Sequence, residues 1–197
     1  MNKKFDYELV PHPKYGFLQV CPTPSDEEIT QFYANEFYSG DYKNFNNSSL
    51  EVQVADKDFF DGQCEDILYN IAKVLKKPLD GLRILDVGCG WAQALLYFKE
   101  KGIDCYGFDP APEAIEYGQR KGLKVKHAGI DRMDVFGSIK FDVVMLKNVL
   151  EHMPNPFEVL KEIHKKVLKK GGLLIICLLY TSDAADEGLG VDLGGRR

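Results

Sequence analysis

The sequence predicts an α/β fold with a doubly wound sheet that begins parallel. Segments that the sequence predicts as strands recur along the chain, at 82–87, 104–108, 123–127, 141–146 and 172–176, and the first of them is an apolar run typical of a buried strand. Helical patterns separate these segments, as is typical of a parallel sheet with crossover helices. The first segment ends at Gly88 and Gly90, and the second ends on Asp109. Because ligands of such sheets bind outside the carboxyl ends of the strands, we expect the functional site there.

Two helices are predicted ahead of the first of these strands. Ser25 and Glu28 form a capping-box pattern, and the apolar face that follows comprises Ile29, Phe32, Tyr33 and Phe37. A second helix is predicted over 58–77, ended by Pro78. The residues expected on its apolar face are Phe60, Cys64, Ile67, Leu68, Ile71, Val74 and Leu75. We expect residues 1–55 to form an N-terminal extension or lid, and residues 56–176 to form the main domain.

A further helix is predicted over 156–170, before the last strand. Asn155 is its expected N-cap, Pro156 its first residue and Glu158 the acidic partner of a capping box. Phe157 is among the residues expected to face the sheet. Lysines crowd the predicted last turn, and a pair of glycines after them is expected to end the helix.

The turn after the first strand indicates a nucleoside-containing cofactor. Gly88 and Gly90 let the backbone approach a ligand closely because they have no Cβ, and Asp109 can accept hydrogen bonds from both hydroxyls of a ribose. A dinucleotide fingerprint, G-x-G-x-x-G, would require a third glycine, and this chain has Gln93 there. A nicotinamide-dependent oxidoreductase is therefore the less favoured alternative.

Three segments together resemble the class I S-adenosylmethionine-dependent methyltransferases of the bacterial small-molecule type. The segment 86–90 resembles the family's D-x-G-x-G-x-G motif, with Ala92 in place of its third glycine. Residues 141–156 resemble the fourth strand and the loop after it, and residues 169–176 resemble the turn into the fifth strand. The resemblance implies S-adenosylmethionine as the cofactor and a Rossmann-like class I methyltransferase sheet in the order 3-2-1-4-5. Its first five strands are present, and the last two strands of the family are missing.

The resemblance also implies roles for individual residues. Asp86 is expected to meet the amino group of the cofactor, directly or through water, and Asp109 its ribose. Asp131 is the candidate for the adenine amino group, although Asp134 competes with it. The predicted cofactor-binding residues are Asp86, Gly88, Cys89, Gly90, Asp109, Pro110, Asp131 and Lys147.

No catalytic residue is assigned, since a base is needed only if the acceptor keeps its proton near neutral pH. His152 is a candidate general base, although a hydrogen-bonding role in its loop is favoured over catalysis. Aromatic side chains that could form a lid are Tyr33, Phe37, Tyr38, Tyr42 and Phe45. We expect methyl transfer to an unidentified small-molecule acceptor. A non-catalytic partner protein with the same fold is the alternative, and the oligomeric state is not indicated.

Composition narrows the classes of partner and the compartment. The net charge is −5 and no basic stripe is available for phosphates, so nucleic acid is not an expected partner. No C-x-x-C pair is present, and no metal site is expected. The first residues lack the apolar core of a signal peptide and no apolar run is long enough to span a bilayer, so we expect a cytoplasmic protein. Residues 177–197 resemble a translated sequencing adapter, and we therefore expect this tail to be non-native, this chain to be a truncated fragment, and the natural gene to continue past Ile176.

Overall fold

A small hairpin and three helices precede the main sheet. The computed structural model describes residues 8–37 and 49–178. The hairpin pairs β1 (Glu8–Pro11) with β2 (Leu18–Cys21) in antiparallel fashion. The helices are α1 (Asp26–Phe32), which continues into a π-helical turn (Tyr33–Phe37), α2 (Leu50–Ala55) and the long α3 (Lys57–Leu75). The capping box of α1 is confirmed, with Ser25 and Glu28 each accepting from the other's backbone. The hairpin was not predicted from the sequence.

Five parallel strands form the main sheet, in the order β5-β4-β3-β6-β7. Its strands are β3 (Arg83–Val87), β4 (Asp104–Asp109), β5 (Lys124–His127), β6 (Phe141–Lys147) and β7 (Leu168–Cys177). The helices between them are α4 (Gln93–Glu100), α5 (Pro112–Arg120) and α6 (Pro156–Glu162). This is the predicted strand order 3-2-1-4-5, so the predicted fold class is confirmed.

Helices cover both faces of the sheet. Successive residues of a strand therefore pack alternately against the helices of one face and of the other. Ile84 packs into one apolar cluster with residues of α3 and α4, while its neighbour Leu85 packs into a second cluster with the residues after α6. Val143 and Val144 of β6 divide in the same way. Strands buried on both faces read as continuous apolar runs, which explains why the sequence located the central strands β3 and β6 well.

The helix predicted over 156–170 is wrong at its carboxyl end. Helix α6 stops at Glu162, a π-helical turn covers Ile163–Val167, and β7 begins at Leu168. The pairing of β6 with β7 is irregular between Phe141 and Val143. A Cβ at Gly172 would lie 2.9 Å from the Asp142 carbonyl oxygen. The glycine pair therefore allows a close approach within the strand and does not end a helix.

Three smaller predictions about helix residues are also wrong. Asn155 is the N-cap of α6 and Pro156 its first residue, as predicted, but the capping box is wrong, because the Asn155 side chain makes no capping hydrogen bond and Glu158 pairs with Lys161. Val74 is exposed because it lies away from the sheet side of α3. Phe157 is partly exposed and stacks on Tyr15, with 3.8 Å between ring centroids, so it faces the hairpin.

Within residues 8–37 and 49–178, no helix combines the length and apolar composition needed to cross a bilayer.

Candidate cofactor site

A cavity of about 810 Å³ opens at the carboxyl edge of the sheet. This carboxyl-edge cavity lies where β3, β4 and β6 end, and residues of α1 and α3 close its other side. Eight residues singled out from the sequence line it, namely Asp86, Gly88, Cys89, Gly90, Asp109, Pro110, Lys147 and His152. The structure therefore brings together seven of the eight predicted cofactor-binding residues and the candidate base.

The turn over residues 88–92, here called the glycine turn, is held tightly against β4. The amides of Gly88 and Cys89 both donate to the Phe108 carbonyl, at 2.9 and 3.1 Å. Gly88 has φ +71°, and a Cβ there would lie 2.6 Å from a methyl carbon of Val149. A larger residue at position 88 would therefore displace the loop after β6 as well as strain the turn.

Ala92 has φ 58°, a left-handed conformation that costs a non-glycine residue about 1 kcal/mol. It is buried, and its amide donates to the Cys89 carbonyl at 2.8 Å. The position of the family's third glycine thus keeps the backbone conformation that favours glycine, although an alanine occupies it.

Asp109 joins the end of β4 to the glycine turn. One carboxylate oxygen accepts from the Gly90 amide at 2.8 Å, and the other accepts from the Ala111 amide at 2.9 Å. The side chain is only 4% exposed. Burial raises the pKa of Asp109 to about 6, although both hydrogen bonds and the nearby His127 oppose the rise. Each oxygen keeps a free lone pair, because a carboxylate offers about four acceptor sites.

Asp86 is buried at the end of β3 with an unusual lack of partners. It is 4% exposed, and its Oδ1 accepts no hydrogen bond from any described residue. Burial raises the pKa of Asp86 to about 7; Lys147 opposes the rise and Asp109 adds to it. The side-chain nitrogen of Gln93, another lining residue, is also buried without a described partner. Buried polar atoms are almost always paired, so these two atoms mark a place suited to a polar ligand.

Lys147 places an ammonium group on the wall of the carboxyl-edge cavity. Its Nζ donates to the Gln63 side-chain oxygen at 2.7 Å and lies 5.4 Å from the centre of the Phe60 ring. Lys147 was predicted from the sequence as a cofactor-binding residue, but its contacts with Gln63 and Phe60 were not. The residue types on α3 give no signal for this contact, because Gln63 is 84 residues from Lys147.

Tyr33 and His152 face each other at the side of the cavity near β6, with ring centroids 6.1 Å apart. Burial raises the pKa of Tyr33 to about 12, and the charges of Asp109 and Glu151 add to the rise. Phe37 also lines the cavity. The other aromatic residues predicted for a lid, Tyr38, Tyr42 and Phe45, lie outside the described residues.

Asp131 is the predicted residue that the structure does not bring into the cavity lining. It lies in a short 3-10 turn (Ile130–Arg132) and is exposed, whereas its neighbour Ile130 lines the cavity. Asp134, its competitor, is exposed too and pairs with Arg132 at 3.7 Å. Within the described parts of the chain, no three His, Cys, Asp or Glu side chains come close enough together to hold a metal ion.

Residues 85–176 match a family described as a methyltransferase domain. The matched segment begins in β3 and includes the glycine turn, Asp109 and the whole of β6. The chain carries a class I methyltransferase domain. The predicted family is therefore confirmed for this part of the molecule.

Bacterial relatives of the methyltransferase domain carry the name ubiquinone biosynthesis O-methyltransferase. The protein of Cereibacter sphaeroides is 32% identical over 107 residues, which cover 52% of this chain and 43% of that protein. The protein of Maricaulis maris is 29% identical over 116 residues, which cover 56% of this chain and 45% of that protein. The chain thus spans less than half the length of these relatives.

Solved structures support the fold of the methyltransferase domain. The plantazolicin methyltransferase BpumL in complex with SAH matches with a TM-score of 0.56 at 22% identity, covering 73% of this chain and 54% of that one. The related BamL, in complex with a triazolic desmethylPZN analog and SAH, matches with a TM-score of 0.54 at 15% identity, covering 72% and 53%. At these identities the likeness concerns the fold alone.

Proposed function

We propose that this chain transfers the methyl group of S-adenosylmethionine to a nucleophilic atom of a small-molecule acceptor. The observation that carries the proposal is the pair of buried carboxylates, Asp86 and Asp109, on either side of the glycine turn. Burying two carboxylates is costly unless a ligand or fixed hydrogen bonds compensate. The relatives named above support the same activity.

The polar atoms of the carboxyl-edge cavity fit the two ends of the cofactor. The unpartnered Oδ1 of Asp86 suits the amino group of the methionyl part, directly or through water. The free lone pairs of Asp109 suit the two hydroxyls of the ribose. Pro110 is held beside Asp109 by its carbonyl, which lies 2.8 Å from the His127 Nε2.

Lys147 suits the carboxylate of the methionyl part. Its ammonium has three N–H donors, and Gln63 accepts one of them. The backbone of the glycine turn, with Cys89 between the two glycines, lines the same cavity and can approach the methionyl part closely. We retain Asp131 as a candidate for the adenine amino group, since it lies one residue beyond Ile130 of the cavity lining.

When bound, the cofactor supplies a methyl group that is already activated as a sulfonium. The chain's own residues then have to orient the acceptor and exclude water. Tyr33 and Phe37 present aromatic faces, which attract cations, and their position supports residues 1–55 as a lid. His152 lies close enough to the cavity to take a proton from an acceptor that keeps one.

The proposal includes a cytoplasmic location. All five cysteines are free in the structure, and disulfide-free chains are typical of that compartment. An acidic chain without a basic stripe is not suited to nucleic acid.

The test of cofactor binding is calorimetric titration with S-adenosylhomocysteine and, separately, with NAD. We expect S-adenosylhomocysteine to bind and NAD not to bind. Asp109→Asn should weaken binding by about tenfold or more, because it removes a charged acceptor. Asp104→Asn is the matched control, since Asp104 begins the same strand at the opposite edge of the sheet. A folded chain that binds NAD and not S-adenosylhomocysteine would contradict the proposal.

Turnover separates an enzyme from a non-catalytic partner protein with the same site. The measurement is formation of S-adenosylhomocysteine from S-adenosylmethionine with a panel of phenols, amines and stabilised carbanions. Acceptor-dependent formation is expected from an enzyme. Cofactor binding without turnover on any member of the panel would favour the non-catalytic alternative.

A further inference from the structure

A second hollow, of about 460 Å³, lies between the hairpin and the segment from Leu150 to Leu160. This hairpin hollow is not part of the cavity to which the cofactor is assigned. Its walls come from β2 on one side and from the loop after β6 and the start of α6 on the other. Its volume falls within the range of about 300–1,000 Å³ that is usual for small-molecule sites.

The hairpin hollow joins the carboxyl-edge cavity. Ile29, His152, Met153 and Leu178 line both of them, and Leu178 belongs to the tail expected to be non-native. The junction lies where Tyr33 faces His152, on the β6 side of the cavity and away from the ribose site at the end of β4. A molecule in the hairpin hollow can therefore reach toward the reacting end of a bound cofactor from the side opposite its ribose.

The lining of the hairpin hollow is mostly apolar, and its polar residues are Gln19, Thr23, Glu151 and His152. Glu151 is its one acidic residue, and neither lysine nor arginine lines it. Leu9, Leu18 and Val20 of the hairpin line it while remaining 68%, 64% and 37% exposed. Phosphate and sugar groups would find few hydrogen-bond partners there, whereas a hydrocarbon would remove this apolar surface from water.

Aromatic stacking fixes the wall of the hairpin hollow. Tyr15, in the hairpin loop, stacks on Phe157 at the start of α6, and Phe17 lies 6.0 Å from the same ring. The loop is also closed by the His12 amide, which donates to the Phe17 carbonyl at 2.7 Å. The hollow is thus preformed, as small-molecule sites usually are.

We propose that the hairpin hollow binds an apolar substituent of the methyl acceptor, a hydrocarbon chain or aromatic group, while the reacting head group lies in the carboxyl-edge cavity beside Tyr33 and His152. This inference rests on the proposed function, because it treats the neighbouring cavity as the cofactor site. It deepens that function by naming the acceptor class: an apolar molecule with one nucleophilic end.

The test uses the full chain and the neutral fluorescent probe N-phenyl-1-naphthylamine. The probe should bind saturably with S-adenosylhomocysteine already bound, and 4-octylphenol should displace it at concentrations where phenol and phenyl phosphate do not. Leu18→Glu should weaken probe binding by about fivefold or more, since it places a charge at an apolar wall. Leu18 is largely exposed, so this variant is expected to fold.

Val74→Glu is the matched control, because Val74 is 59% exposed and lines neither space. It should leave probe binding unchanged, and both variants should keep the wild-type affinity for S-adenosylhomocysteine. The inference is overturned if the probe does not bind, if S-adenosylhomocysteine displaces it, or if Leu18→Glu binds it as wild type does. Failure of S-adenosylhomocysteine itself to bind the folded chain would instead overturn the proposed function.

Discussion

At the scale of single residues, Asp86 connects the stability of the domain with its proposed function. Its pKa is about 7 in the folded chain, raised mainly by burial, against an ordinary value of 3.8. Between these values the folded state holds a proton that the unfolded state has lost. The free energy of unfolding therefore falls as the pH rises from about 4 to 7. Above pH 7 the buried charge persists and opposes folding.

Asp86→Asn should stabilise the unbound chain at pH 8 by about 1–3 kcal/mol, because it removes that buried charge. Urea denaturation at pH 8 and pH 5 measures the effect, which should shrink at the lower pH. The same variant should weaken S-adenosylhomocysteine binding. A variant less stable than wild type at pH 8 would contradict a functional origin for this carboxylate.

Cofactor affinity should depend on pH through the same group. The ionised form of Asp86 is the one that attracts an amino group, so protonation below pH 7 should weaken binding by up to about tenfold per pH unit. Titrations with S-adenosylhomocysteine between about pH 5.5 and 8, on both sides of the Asp86 pKa of about 7, measure the slope. Asp86→Asn should flatten it near pH 7, and an unchanged slope in that variant would argue against the assignment.

Alanine substitutions at Gly88 and Gly81 can distinguish the cost of backbone strain from the cost of a steric clash with a neighbouring side chain. Both have positive φ, +71° and +77°, but a Cβ at Gly81 would meet nothing within 4 Å. Gly81→Ala should therefore cost about 1 kcal/mol for strain alone. Gly88→Ala should cost a further ~1–3 kcal/mol because it displaces Val149. Equal losses in thermal denaturation of the two variants would show that the turn has more room than its geometry indicates.

The position of most predicted site residues in the cavity lining could be inferred from the sequence, since strand ends and a glycine turn define positions within a short segment. The contact between the side chains of Lys147 and Gln63 could not be predicted, because Gln63 lies on a helix that only tertiary packing brings close to Lys147. Asp131 was predicted to bind the adenine amino group from its position in the sequence, but its side chain is exposed.

At the scale of elements, α1 places Ile29 in the lining of both the carboxyl-edge cavity and the hairpin hollow, and the π-helical turn after it begins at Tyr33. Its capping box, formed by Ser25 and Glu28, fixes the start of the helix. The predicted box was correct here and wrong at Asn155. The difference is physical: at Glu158 a lysine one turn away, Lys161, takes the carboxylate.

Glu28→Ala should loosen α1 by about 1 kcal/mol, because two capping hydrogen bonds are lost. Amide hydrogen exchange of α1 measures this directly, and S-adenosylhomocysteine binding should weaken with it. Glu27→Ala is the matched control, since Glu27 accepts only from Gln31 on the helix surface. Equal loss of protection in the two variants would contradict a role for the box in positioning the site.

At the scale of the whole molecule, the proposed cofactor-binding carboxylates and a stabilising carboxylate lie at opposite edges of the sheet. The carboxyl edge holds Asp86 and Asp109, while the amino edge holds Asp142, which accepts from the Arg83 amide at 3.0 Å and from Lys169 Nζ at 2.7 Å. These bonds tie β3, β6 and β7 together. Burial alone would raise the pKa of Asp142, but the hydrogen bonds from Lys169 and the Arg83 amide, with the charge of Lys169, lower it. Its stabilisation is therefore present above pH 4 and lost as the pH falls below that.

Asp142→Asn should destabilise the chain at pH 7 by about 1–3 kcal/mol, the opposite sign to Asp86→Asn. It should leave S-adenosylhomocysteine affinity unchanged, because Asp142 is at the far edge of the sheet from the cofactor site. Urea denaturation and calorimetry on the same preparation measure both quantities. A matching loss of affinity would mean that the two edges are coupled.

The parallel sheet was predictable at this scale because helical patterns separate its strands, whereas the strand order 3-2-1-4-5 was implied only by the family resemblance. The hairpin was not predictable, because its strands are short and exposed, and its apolar residues show no core pattern. The start of β7 was also hidden, since a pair of glycines inside a strand looks the same in sequence as a helix end.

The most direct test of the central claim is an amide nitrogen–proton NMR titration of this chain with S-adenosylhomocysteine. We expect a dispersed spectrum with saturable shifts at Gly88, Gly90 and Asp109, and none at these positions with NAD. A dispersed spectrum that S-adenosylhomocysteine leaves unmoved would contradict it.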